Sequence, residues 1–198
     1  TADAEPKEDE APKEKEDEAP KEKEDEAPKE KDGCKNKDSV AITKDDMLNG
    51  DGLRVVLWVA GCSHCCKGCQ NPITWDPEGG VLFDESAKQE IFEQLDKPYI
   101  EGITFSGGDP LHEKNVDEVT AFAREIKEKY PKKNIWLYTG YLWEDIQDLP
   151  IVSYLDVIVD GKFDLERRDV SLPWKGSPNQ RVIDVPKSRE VGLVVLHA

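Results

Sequence analysis

Several features that would indicate common classes of protein are missing from this chain of 198 residues. It has no run of about 18 apolar residues, the length that a membrane-spanning helix requires, so we expect no membrane association. Its 27 lysines and arginines are outnumbered by 43 acidic residues and form no basic stripe, which argues against nucleic-acid binding. No apolar segment of the signal-peptide kind stands at its charged start, so we expect a cytoplasmic protein with reduced cysteines.

The first 33 residues lack valine, isoleucine, leucine, methionine and every aromatic residue. They hold 15 acidic residues and 7 lysines, so one sixth of the chain carries half of its net charge of −16. The eight-residue repeat EAPKEKED starts at Glu10 and again at Glu18, and a third copy decays after Glu26. Because such a segment has no apolar surface to bury, it cannot offset the entropy of ordering. We therefore predict a disordered acidic tail over residues 1–36 and one folded domain over residues 37–198.

The remaining 165 residues contain every aromatic residue and all five cysteines, and their apolar residues follow strand and helix periods. We predict strands at 53–60, 103–105, 135–138, 157–159 and 181–185, and helices at 86–96, 116–130 and 142–149. Asn115 is expected to cap the second helix, whereas residues 190–196 are β-prone without a clear place. Strands that alternate with helices indicate βαβ units, hence an α/β fold with a mostly parallel sheet.

Four unusual loops follow the first four predicted strands. They comprise residues 61–69, 106–110, 139–141 and 160–162. Because the carboxyl ends of parallel strands meet at one edge of a sheet, where such folds bind ligands, we expect these loops to form a single active site.

Four of the five cysteines lie within eight residues, in the segment GCSHCCKGC that begins at Gly61. Two CxxC pairs would indicate a zinc site with four thiolates, but the adjacent Cys65 and Cys66 cannot easily point at one small ion. The alternative pattern, C-x3-C-x2-C, takes Cys62, Cys66 and Cys69 as ligands of a 4Fe-4S cluster, whose corners are farther apart. Three thiolates leave one iron open to an exogenous ligand, which indicates chemistry rather than scaffolding.

The other possible ligands near this loop have simpler interpretations. We expect Cys65 to be a bystander thiol; the alternative is a fourth ligand that would close the open iron. His64 is expected to be a loop residue rather than a ligand, and Cys34 an ordinary free thiol.

The cysteine loop resembles that of radical S-adenosylmethionine (SAM) enzymes. The wider pattern, over about residues 45–182, resembles the family that activates anaerobic ribonucleoside-triphosphate reductase. The matching segments are NGDGLR from Asn49, GCSH and CKGC from Gly61, Asn71, Trp75, SGGDPLH from Ser106, IWLYTGY from Ile135, VDGKF from Val159, and WKGS with NQ from Trp174. Three features depart from that pattern: the acidic tail, the extra thiol of Cys65, and Gln70, which stands where the superfamily usually has an aromatic residue.

The resemblance implies a partial, open (βα) barrel of the radical SAM type, in which Cys62, Cys66 and Cys69 hold the cluster. It also implies that SAM chelates the open iron through its amino and carboxylate groups. The residues expected to contact SAM are Gly68, Cys69, Gln70, Gly107, Gly108, Asp109 and Thr139.

The basis of these expected SAM contacts differs from residue to residue. Gly107 and Gly108 let the backbone approach a ligand closely, and Asp109 adds negative charge for an ammonium group, although a plain tight turn is the alternative. Thr139 is a candidate, like Asp160, only because it stands at a strand end, where turn and cap chemistry is the other interpretation.

The implied activity is reductive cleavage of SAM to methionine and a 5′-deoxyadenosyl radical, which takes a hydrogen from a glycine of the reductase. The implied partners are anaerobic ribonucleoside-triphosphate reductase and a reduced flavodoxin- or ferredoxin-type electron donor. This chemistry requires no general base, in agreement with a total of three histidines. Two alternatives stay open: another radical SAM enzyme, acting on a different glycyl-radical enzyme or a small molecule, and a non-catalytic four-cysteine metal module.

Overall fold

The computed structural model describes Thr1 and residues 41–198, so Cys34 and nearly all of the predicted tail lie outside the described residues. The described residues form an α/β fold of six strands and four α-helices. In chain order these are β1 (Ile42–Asp46), β2 (Arg54–Val59), α1 (Glu85–Leu95), β3 (Gly102–Gly107), α2 (Val116–Lys129), β4 (Asn134–Tyr138), α3 (Trp143–Ile146), β5 (Val157–Asp160), β6 (Arg181–Asp184) and α4 (Val185–Val191). No helix among them is long and apolar enough to cross a membrane.

The six strands form one sheet in the order β1-β2-β3-β4-β5-β6. Strands β2 to β5 are parallel, whereas β1 and β6 pair antiparallel at the two edges. The sheet is therefore mixed: its four central strands are parallel, as expected, whereas the antiparallel pairing of the two edge strands was not predicted. The reason is that no α-helix crosses over between β1 and β2 or between β5 and β6, and a parallel pairing needs such a crossover.

The predicted elements match the observed ones closely in the centre of the sheet. All five predicted strands and the first two helices are present, with ends displaced by no more than two residues. The third helix is shorter than predicted: α3 ends at Ile146, and Pro150 begins a 3-10 helix over Pro150–Tyr154. The predictions contain neither β1 nor α4. Of the β-prone residues 190–196, the first two end α4, and Leu196 forms an isolated bridge with Ile183.

The apolar side chains of the sheet alternate between its two faces, as the period of a strand requires. On one face, residues such as Val55, Ile103 and Ile135 belong to a large core that includes α1 and α2. On the other face, Trp136 forms a smaller cluster with valines of β5 and β6, and Trp174 packs edge-on against it with ring centroids 5.3 Å apart.

The amino-terminal edge of the sheet is fastened by Arg54, which is fully buried. Its guanidinium donates to the hydroxyl of Thr104, the carbonyl groups of Asp51 and Ile103, and the side-chain oxygen of Asn134, at 2.6–3.0 Å. Burial lowers the pKa of Arg54 to about 10. One side chain thus joins the starts of β2, β3 and β4, at the edge opposite the four predicted loops.

Candidate active site

The four predicted loops start from the same edge of the sheet, because the strands that precede them, β2 to β5, are parallel. The first two loops touch directly through their backbones. The amide of Asp109 donates to the carbonyl of Gly61 at 2.7 Å, and that of Gly108 donates to the carbonyl of Val59 at 2.7 Å. The expectation that these loops come together is confirmed.

The cysteine loop is anchored at its start. The amide of Gly61 donates to the carbonyl of Thr74 at 2.7 Å, and the amide of Cys62 donates to that of Trp75 at 3.1 Å. A further backbone bond, from Cys69 to Cys66 at 3.1 Å, closes a turn within the loop. After the cysteine loop, the chain therefore returns at Thr74 and Trp75 to lie beside the start of that loop.

Three of the four thiols in this loop share one kind of environment. Cys62, Cys66 and Cys69 are half-buried and unpaired, whereas Cys65 is exposed. Cys65 also has a φ of +48°, in the left-handed region that residues with a Cβ rarely adopt. The structure thus separates Cys65 from the other three in both burial and backbone conformation.

Each of the three half-buried thiols receives a backbone hydrogen bond. Burial raises the pKa of the Cys62 thiol, and a hydrogen bond from the backbone of His64 partly opposes that change. Burial likewise raises the pKa of Cys66, against a hydrogen bond from the backbone of Phe163. The amide of Asn71 donates to the sulfur of Cys69 at 3.4 Å. Such donors stabilise sulfur that carries negative charge, as a cluster ligand does.

The same loop does not form a compact site for one ion. Within the described part of the chain, no three His, Cys, Asp or Glu side chains converge closely enough to hold a metal ion. The zinc alternative with four thiolates therefore gains no support from this geometry. The half-buried thiols of Cys62, Cys66 and Cys69 are the side chains of this loop that could hold an iron–sulfur cluster.

The turn after β3 packs too tightly for any residue but glycine. Gly107 has a φ of +107°, and a Cβ there would lie 2.5 Å from the backbone of Val59. A Cβ on Gly108 would lie 2.4 Å from the carbonyl oxygen of Gly61 and 2.8 Å from that of Thr74. Both glycines thus allow this turn to lie directly against β2 and the cysteine loop.

Asp109 is buried at the centre of the loops. Its carboxylate accepts hydrogen bonds from the amide of Leu111 (2.8 Å), the hydroxyl of Thr139 (2.9 and 3.0 Å) and the amide of Gly140 (2.9 Å). Nε2 of His64 lies 2.7 Å from the same carboxylate. Two predicted site residues, Asp109 and Thr139, are thus in direct contact, but their side chains are bonded to other loops of the protein.

Two residues at this edge have contacts that the sequence did not indicate. Asn115 stands at the start of α2 as predicted, but its side chain makes no cap hydrogen bond. It donates instead to the carbonyl of Ala60 at 2.8 Å and to that of Asp109 at 3.1 Å. His64 was expected to be a plain loop residue, and its bond to Asp109 has no signal in the local sequence.

The loop after β5 supports the cysteine loop from the other side. A Cβ on Gly68 would lie 2.8 Å from the side chain of Leu165. Asp160, fully buried, accepts from the amide of Trp143 at 2.8 Å and pairs with Arg181. The contacts of Asp160 therefore join α3 to β6, which favours the interpretation as a turn or cap residue over that as a site residue. The remaining two predicted site residues, Gly68 and Gln70, are exposed on the cysteine loop.

Comparison with known families defines first the class of protein to which this fold and site correspond. A model of the 4Fe-4S single cluster domain matches residues 48–183. This range includes β2 to β5 and all of β6 except its last residue, whereas β1 lies before it. The cysteine loop lies inside the matched range. The chain thus belongs to a class of proteins built around one iron–sulfur cluster.

Individual proteins similar to this chain indicate one family within that class. The chain is 45% identical to the anaerobic ribonucleoside-triphosphate reductase-activating protein of Enterobacteria phage T4 over 69% of this chain and 87% of that protein. It is 45% identical to the protein of the same name from Haemophilus influenzae, over 68% of this chain and 90% of that protein. Identity to the Escherichia coli K12 protein is 40%, over 69% and 92% respectively. The chain belongs to the family of anaerobic ribonucleoside-triphosphate reductase-activating proteins.

Proposed function

We propose that this chain is a radical SAM activase of anaerobic ribonucleoside-triphosphate reductase and that Cys62, Cys66 and Cys69 hold its 4Fe-4S cluster. The observation that carries the proposal is the shared environment of these three thiols, half-buried with backbone donors, beside the turn at Gly107 and Gly108. Exposed Cys65 remains outside the ligand set. When bound, the cluster would supply the electron for reductive cleavage of SAM to methionine and a 5′-deoxyadenosyl radical, the species that would take a hydrogen from a glycine of the reductase.

The residues around the thiols would bind and orient SAM. We assign this role to Gly68, Cys69, Gln70, Gly107, Gly108, Asp109 and Thr139. Among them, Gly68 and Gln70 are accessible on the cysteine loop, next to a ligand thiol. The side chains of Asp109 and Thr139 bond to each other, so they would orient SAM through the loops that they hold in place.

The rest of the chain fits the same proposal. The open sheet, with its four loops at one edge, is consistent with the partial (βα) barrel of radical SAM enzymes. We further propose that residues 37–198 are the catalytic domain, that residues 1–36 are dispensable for chemistry, and that the protein acts in the cytoplasm. A reduced flavodoxin- or ferredoxin-type protein would supply the electron.

The test is an anaerobic mixture of the protein with anaerobic ribonucleoside-triphosphate reductase, SAM and dithionite, measured by electron paramagnetic resonance (EPR). A glycyl radical on the reductase, together with about four iron and four sulfide per chain, supports the proposal. Cleavage of SAM without a glycyl radical would instead indicate a radical SAM enzyme with another substrate. One zinc per chain and no SAM cleavage would refute the proposal.

A further inference from the structure

One buried contact joins the middle of the cysteine loop to the turn after β3. Nε2 of His64 lies 2.7 Å from Oδ2 of Asp109, and the two side chains are only 8% and 2% exposed. Because a carboxylate accepts hydrogen bonds and does not donate them, Nε2 is the donor. A hydrogen bond to a charged group in a dry site is stronger than one between neutral groups.

The ring of His64 is held on its other sides as well. A Cβ on Gly140 would lie 2.4 Å from Cδ2 of His64, so the ring rests directly on the backbone after β4. The ring of Tyr141 packs edge-on against it, with ring centroids 4.6 Å apart. The backbone after β4 is in turn bonded to Asp109 through the amide of Gly140. His64 therefore fits into a slot made by two loops that are already fastened to each other.

The position of His64 in the chain gives this contact a consequence for the proposed cluster. It lies between Cys62 and Cys66, and its neighbours Ser63, Cys65 and Lys67 are exposed. The backbone bonds of Gly61 and Cys62 hold only the start of the loop, and the backbone of Phe163 reaches the thiol of Cys66. Between these points, His64 is the buried side chain that joins the loop to Asp109.

We propose that His64 is a positioning residue, which fixes the three thiols relative to the turn at Gly107 and Gly108 through its bond to Asp109. This inference rests on the proposed function, since the turn is where SAM would bind. Asp109 directly follows that turn, so the His64 bond spans the distance between the cluster loop and the SAM site. Without the bond the three thiols remain and can still hold a cluster, but the open iron is no longer held in register with the turn.

The experiment compares two variants of His64 with a control in the same loop. His64→Leu keeps a similar volume without a donor, whereas His64→Gln offers an amide N–H at about the position of Nε2. Lys67→Ala removes an exposed side chain. With His64→Leu we expect iron content near that of the native protein and a KM for SAM raised about tenfold or more, the effect of one lost charge-assisted hydrogen bond. With His64→Gln and Lys67→Ala the KM should stay within about threefold.

A spectroscopic and a cluster-free measurement complete the test. The EPR spectrum of the reduced cluster should change on addition of SAM in the native protein and in His64→Gln, and much less in His64→Leu. In the cluster-free protein, amides of residues 62–66 should exchange with solvent faster in His64→Leu than in the other proteins.

Three results would overturn the role of His64. These are native behaviour of His64→Leu in exchange and in KM, loss of iron from a folded His64→Leu protein, and failure of His64→Gln to restore either property. If the native protein itself shows no effect of SAM on its cluster, the proposed function fails, while hydrogen exchange still decides whether His64 holds the loop.

Discussion

Replacing Thr139 by valine should lower the free energy of unfolding by about 2–3 kcal/mol, mainly through the loss of one charge-assisted hydrogen bond. The Thr139 hydroxyl donates to the buried carboxylate of Asp109 at 2.9 and 3.0 Å and accepts from the amide of Tyr141 at 3.2 Å. Valine has nearly the same shape, so it creates no cavity. It leaves the carboxylate with one donor fewer and the amide of Tyr141 without this acceptor. For a domain of this size the loss corresponds to a melting temperature lower by about 5–10 °C.

The measurement is urea unfolding of the cluster-free protein, under anaerobic reducing conditions, followed by circular dichroism and tryptophan fluorescence. Thr139→Ser retains the hydroxyl and should recover most of the loss. Thr120→Val is the matched control, because the Thr120 hydroxyl is bonded only to the carbonyl of Val116 in its own helix α2 among the described contacts. That control should change stability by no more than about 0.5 kcal/mol. Equal effects of Thr139→Val and Thr120→Val would show that the Asp109 network does not stabilise the site.

Four further results follow from the structure. Cys66→Ser should remove the iron and SAM cleavage while Cys65→Ser retains both, and loss of iron from both variants would contradict the three-thiolate assignment. The pKa of Glu144 is lowered from 4.5 to about 2 by its arginine partner, so its ionised form adds stability that is complete above pH 4.5 and lost as the pH falls toward 2. Because Glu144 is exposed and Arg181 only half-buried, Glu144→Gln should reduce the loss of stability in acid by less than about 1 kcal/mol. Identical acid unfolding curves would show that the pair contributes nothing. Arg54→Lys should cost about 2–4 kcal/mol of stability, since an ammonium group cannot reach four acceptors. SAM cleavage by the folded variant should stay unchanged. A clear fall in cleavage by the folded variant would contradict the position of Arg54 at the edge of the sheet opposite the site. Deleting residues 1–33 should leave SAM cleavage intact, and a large loss would show that the tail takes part.

The strands and helices that the sequence predicted well are those with a strong apolar period. β2 is a nearly continuous apolar run, and α2 has its buried residues at helical spacing. The strand β1 was missed because its sequence, ITKDD, is polar and only half-buried at an edge of the sheet. The predicted helix before Pro150 was too long at its end, because the residue before a proline is pushed out of the helical conformation: Leu149 is extended, and Pro150 begins a 3-10 helix.

The antiparallel pairing at the two edges of the sheet also could not be predicted from the sequence. A pattern of strands and helices shows where crossovers exist, and β2 to β5 follow it. The connection between β5 and β6 contains no α-helix. It is nevertheless long enough to hold one, so the sequence alone does not show that a crossover helix is absent. The direction of an edge strand is then decided by which packing covers it, as when β6 brings Arg181 against Asp160.

The candidate site likewise has features that the sequence predicted and contacts that it did not. The spacing of the cysteines and the positions of the four loops after their strands could be predicted, since both depend only on local order along the chain. The partners of Asp109 could not. His64 and Thr139 are 45 and 30 positions away from it, and nothing in their own segments indicates that they meet.

The sequence by itself determined the three-cysteine spacing, the glycine turn and the shared edge of the loops, because each follows from local pattern and from the rule that parallel strands end together. Only the tertiary structure decided that Cys65 is exposed while its neighbours are half-buried, and that the acidic group of the turn faces a histidine of the cysteine loop. The physical reason is that hydrogen bonds between loops depend on the register of β2, β3 and β4, which sets within a fraction of an ångström which side chains can meet.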